Sequence, residues 1–116
     1  MSKPLGPYTP AVRAGDFIFV SGQLGLAGGS LVDGGVAGQT RQAVANLVDR
    51  LAEMGAELTD VVKTTCFLVD MDAFATFNTA YIEGFGSHRP ARSTVAVREL
   101  PAGARVEIEA VVYRPV

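Results

Sequence analysis

The chain has one cysteine, Cys66, and one histidine, His88. A lone cysteine excludes an intrachain disulfide and a cysteine-rich metal centre, so no metal site is read from the sequence. There is no run of Lys or Arg: 10 basic against 12 acidic residues give a formal charge of −2 and a pI near 5.3, which argues against nucleic acid as a partner. No stretch approaches the roughly 20 apolar residues of a membrane span, and the opening MSKPLGPYTP holds no apolar segment of secretory-signal length. These absences describe a soluble, cytoplasmic chain with no membrane partner.

What is present is apolar. Hydrophobic residues make up 48%, charged residues only 19%, and mean hydropathy is +0.26. At 116 residues the chain reads as a single domain, 1–116, burying roughly two thirds of the surface of its unfolded form. Such a composition is apolar for so small a monomer, and part of its surface is expected to be covered by a partner subunit.

Prolines at 4, 7 and 10 keep the first ten residues extended or turned and hold Tyr8 in a stiff segment. Ala11–Arg13 and Phe17–Val20 read as strands about a Gly15-Asp16 turn. The second strand is expected to stop at Ser21-Gly22-Gln23, where a glycine permits close approach of a ligand or simply ends the strand. The glycine-rich stretch from Leu24 to Gly38 reads as a loop with one short strand near Leu31-Val32; it lacks the GxGxxG pattern of a phosphate cradle. Ala43, Val44, Leu47, Val48, Leu51 and Met54 mark one face of a helix over 39–54, with Gly55 as its left-handed stop.

Leu58–Val69 is β-branched enough for a central strand, and Cys66 within it reads as a packed core residue. Asp70 or Asp72 caps a second helix whose Phe74, Phe77, Tyr81 and Phe85 form a core stripe, with Asn78 beside it and Gly84 and Gly86 at its end. His88 lies in a polar turn and reads as solvated. Pro90 then opens a strand with Arg92 at its mouth, either a solvated cation or a planar fork that grips a carboxylate. The last strand, 105–113, puts Val106, Ile108, Ala110 and Val112 on one face and Glu107 and Glu109 on the other. Glu107 there serves solubility on an open face, or water positioning and proton transfer in a cleft. The order implies an α+β fold, a mixed sheet with two helices on one face and no cover on the other.

The motifs GPYTPAV (6–12), VSGQ (20–23), FNTAY (77–81), PARSTV (90–95) and VEIEAV (106–111), in this order and spacing, resemble the RidA/YjgF family of enamine/imine deaminases over nearly the whole chain. The resemblance implies a chorismate-mutase-like subunit, a homotrimer, and small-ligand sites in clefts between subunits. It implies hydrolysis of reactive 2-imino acids to 2-oxo acids and ammonia, with no cofactor. Matched motif by motif, it places carboxylate binding on Arg92 and a water-orienting acid on Glu107. Tyr8, Ser21, Gly22 and Asn78 complete the site. Thr94, also a candidate substrate contact, stands where the family's namesake deaminases commonly have cysteine. GPYTP also departs from the family's GPYSQ-like motif, and the turn before Pro90 is short. The alternatives are a trimer that binds small carboxylates without turning them over, and a ribonuclease or translation inhibitor, against which the acidic balance speaks.

Overall fold

Alternating apolar residues build a sheet whose inner face is closed by two amphipathic helices, as a computed structural model of residues 4–116 shows; Met1 to Lys3, at the start of the segment expected to be extended or turned, lie outside the described residues. The sheet strands are β1 (Ala11–Ala14), β2 (Phe17–Leu24), β5 (Val61–Leu68), β6 (Ala91–Ala96) and β7 (Val106–Tyr113). They run in the order β1-β2-β7-β5-β6, and β5 with β6 is the parallel pair in an otherwise antiparallel arrangement. A small hairpin, β3 (Leu26–Ala27) with β4 (Ser30–Leu31), stands apart.

The helices are α1 (Gly35–Glu53) and α2 (Phe74–Phe85). Ala43, Val44, Leu47 and Leu51 of α1 and Phe77, Tyr81 and Phe85 of α2 form one buried cluster with Ile18, Cys66, Leu68, Val106, Ile108 and Val112. Each fully buried Leu, Ile or Phe contributes roughly 1.5–3 kcal/mol over an exposed one. The expected mixed sheet with two helices on one face is therefore present. The other face exposes Val12, Phe17, Phe19, Val95 and Tyr113, each more than 40% accessible.

Several local expectations are corrected. β2 does not stop at Ser21. It continues through Gln23, because Val20 pairs with Ala110 and Gln23 with Ile108, leaving Ser21 and Gly22 together opposite Glu109 in a β-bulge. The Gly-rich loop is interrupted by the β3–β4 hairpin, and α1 begins at Gly35 rather than Gln39, since packing against β2 and β7 outweighs the poor helix propensity of glycine. Leu58–Asp60 forms a 3-10 turn before β5. Gly84 lies inside α2, where a Cβ would stand 2.7 Å from Val44 Cγ1; the glycine lets the two helices approach. Phe74 is 38% exposed rather than core. Asp70 does cap the approach to α2, accepting from the Asp72 N–H at 2.9 Å, and Gly55 has the left-handed φ of 73° expected of a helix stop.

Candidate active site

Arg92 is held at the second position of edge strand β6, level with Thr64 of β5, so its side chain turns toward the helical layer. There the guanidinium carbon lies 4.9 Å from the ring centroid of Tyr81, 5.4 Å from Phe77 and 5.6 Å from Phe74. One terminal nitrogen donates to Asn78 Oδ1 at 2.8 Å. Three rings and one amide fix the fork, and among the described residues no ion pair neutralises it. A desolvated cation–π contact contributes about 2 kcal/mol or less, which positions the charge without satisfying it. The open side of the group looks into a cavity of about 170 Å³ lined by Asn78, Tyr81, Ile82, Arg89, Pro90 and Arg92.

Glu107 lies on the other face. Its neighbours Val106 and Ile108 are buried among the core residues, so alternation along β7 sends Glu107 outward. It lines a wider cleft of about 480 Å³ with Leu5, Gly6, Pro7, Tyr8, Ser21, Gly22, Pro101 and Glu109. Burial, and then the charge of Glu109, push its carboxyl above the usual glutamate value. The bulge brings Gly22 directly against this carboxylate: a Cβ at residue 22 would fall on the Glu107 carboxyl group at Oε2 and Cδ. Glycine is thus required by proximity to the acid. Ser21 pins the N-terminal segment, its hydroxyl donating to Thr9 O at 2.7 Å and its N–H to Pro10 O at 2.9 Å. That segment carries Tyr8, 44% exposed, whose hydroxyl accepts from the Leu5 N–H at 3.2 Å.

Of the residues singled out in the sequence, Tyr8, Ser21, Gly22 and Glu107 come together on the open face, and Arg92 and Asn78 come together at the edge of the helical face. The two cavities share no lining residue. Arg92 is level with Thr64, while Glu107 is level with Phe67 and, across β5, with Val95. The two groups therefore occupy opposite faces, with one strand between them and about 10 Å of sheet to cross. Thr94 lines neither cavity. It lies level with Cys66 on the helical side, and its hydroxyl is buried without a hydrogen-bond partner.

Cys66 is inert core: burial raises its thiol to about 11, and its sulfur is 3.9 Å from Thr64 Oγ1. His88 is not simply solvated, since Nε2 is 2.8 Å from Val61 O and the ring stacks on Phe85. Sequence reasoning took Phe74, Phe77 and Tyr81 as core alone. Their second role under Arg92 had no local signal, because it depends on the parallel pairing that sets β6 beside α2.

The chain matches the family model described as endoribonuclease L-PSP over residues 1–114. A RutC family protein of Pyrococcus horikoshii is 43% identical over 97% of this chain and 90% of its own length. The human 2-iminobutanoate/2-iminopropanoate deaminase is 45% identical over 92% of this chain and 80% of its own. The crystal structure of the YjgF gene product from E. coli superposes with a TM-score of 0.90 at 38% identity, covering 96% of this chain and 91% of that one.

Proposed function

On the premise that this chain belongs to the endoribonuclease L-PSP family, the family of RidA and YjgF, we propose that it hydrolyses reactive 2-imino acids to 2-oxo acids and ammonia. The observation that carries this reading is that Arg92, held by three rings and Asn78 with no ion pair among the described residues, opens into one cleft, while Glu107, its carboxyl raised by burial, opens into another beside Tyr8, Ser21 and Gly22. In this reading the 1–116 chain is one domain that assembles as a homotrimer. Two facts support assembly: the exposed apolar sheet face, and the position of Arg92 and Glu107 on opposite faces of one subunit. A second copy laid against the β6 edge brings its own Glu107 cleft to the Arg92 of the first.

The chemistry then follows from the groups. Arg92 holds the substrate carboxylate with two charge-assisted hydrogen bonds and so fixes C2. Glu107 takes a proton from water as its oxygen adds to C2 of the protonated imine, giving a carbinolamine. The same carboxyl returns that proton to nitrogen; as the C–N bond breaks, the carbinolamine hydroxyl gives its proton to the freed carboxylate, and ammonia leaves behind the 2-oxo acid. A carboxyl with a raised pKa is a better base than an ordinary one near neutrality, so the burial of Glu107 suits both transfers. Tyr8 and the backbone at Ser21 and Gly22 line the space for the nitrogen and the developing hydroxyl.

The family description names an endoribonuclease, but the Glu107–Glu109 pair gives the larger cleft a negative field that repels phosphate. The test is incubation with freshly generated 2-iminobutanoate. The reading expects ammonia and 2-oxobutanoate to appear well ahead of the buffer rate; no acceleration overturns it. Tight 2-oxobutanoate binding without turnover would establish a carboxylate-binding trimer instead.

A further inference from the structure

We propose that Arg89 makes the Arg92 cavity selective for imino acids bearing a second carboxylate; this rests on the deaminase reading above and names its substrate class. Arg89 and Arg92 line the same small cavity, and among the described residues no acidic side chain lines it with them. Tyr81 lines that cavity too, with the Arg92 guanidinium carbon 4.9 Å from its ring centroid. The nearby acid of α2, Glu83, is already committed to Arg41 at 3.1 Å. The cavity therefore holds two positive charges with no counter-ion of its own.

The second arginine is also held in place. Its Nη1 donates to Gly86 O at 2.6 Å and to His88 O at 3.0 Å, two carbonyls of the tight turn that ends α2. The following residue is Pro90, which restricts the backbone of Arg89 to extended conformations. With Nη1 occupied, Nε and Nη2 remain as donors, and Ile82 adds an apolar side chain to the lining. A monocarboxylate on Arg92 neutralises one charge and leaves the other facing it. A diacid such as 2-iminosuccinate or 2-iminoglutarate, the imines formed when acidic amino acids are oxidised, neutralises both.

The experiment has two arms, run on the wild-type protein and on Arg89→Gln and Arg89→Lys. In the kinetic arm, 2-iminosuccinate is generated in place by an aspartate oxidase and 2-iminobutanoate by a threonine dehydratase. Wild type is expected to favour the diacid by about tenfold in kcat/KM, the size of one partly exposed charge-assisted bond. Arg89→Gln should erase that preference mainly through KM, and Arg89→Lys should restore part of it. In the binding arm, calorimetric titration with 2-oxoglutarate and 2-oxobutanoate should show the same preference and the same loss. An equal wild-type preference for both acids, or a ratio unmoved by Arg89→Gln, overturns the proposal in either arm. Failure to hydrolyse either imine overturns the deaminase reading alone, since the binding arm still decides the role of Arg89.

Discussion

The two halves of the site differ in kind. The Arg92 half is rigid and finished: a cation on three rings, tied to Asn78 and aimed into a small cavity. The Glu107 half is wide and built on a bulge, under a segment held by Ser21, with an acid whose carboxyl burial pushes above the usual glutamate value. In the proposed reaction one half binds and the other moves a proton.

Removing the binding half should cost most. Arg92→Ala deletes two charge-assisted bonds of about 1.5–3 kcal/mol each, so kcat/KM should fall by a hundredfold or more and 2-oxobutanoate binding should vanish in calorimetry. Glu107→Gln should instead lower kcat by about a hundredfold while oxo-acid binding survives. If both variants lost binding and turnover alike, the division between the halves would be wrong.

The acid also sets a pH dependence. In the proposed reaction Glu107 works only when ionised, and its folded pKa lies above the ordinary 4.5, so activity is expected to fall as pH drops through that raised value. Stability runs the other way. A carboxyl with a raised folded pKa contributes most below its unfolded value and loses that contribution as pH climbs through the folded one. Glu107→Gln should accordingly abolish the acidic limb of the kcat/KM profile and raise Tm at neutral pH. A lowered Tm would mean that the charged form is stabilised by contacts.

Gly22→Ala tests the seam between bulge and acid. Its methyl must displace the Glu107 carboxylate, at a cost of about 1–3 kcal/mol, and kcat should drop about tenfold with oxo-acid binding nearly intact. The smallest effect belongs to Thr94→Val, which replaces an unpartnered buried hydroxyl. It should stabilise the fold by about 1 kcal/mol, read as a rise in Tm, and leave kinetics alone. A clear rise in KM would return Thr94 to the substrate.

Much of this was legible in the residues. Periodicity gave both helices and the alternation of β7, and the family motifs named Arg92, Asn78, Tyr8 and Glu107. What remained hidden depends on pairing between distant strands. The bulge at Ser21-Gly22 looks locally like a strand end, because only its register against Glu109 shows that the strand continues. Gly84 looks like a helix stop until Val44 of α1 is seen against it. Alternation gives the outward face of Glu107, but the turn of Arg92 toward the helices shows only in the register of β6 against Thr64 of β5, which no local pattern encodes.

The claim that two copies complete each site is tested by mixing two inactive variants. Arg92→Ala retains Glu107, and Glu107→Gln retains Arg92. Unfolded together in equal amounts and refolded, they should regain about one quarter of wild-type activity, the fraction of sites that draw each intact group from a different chain. Activity no greater than that of either variant refolded alone would place both groups in one subunit and contradict the account.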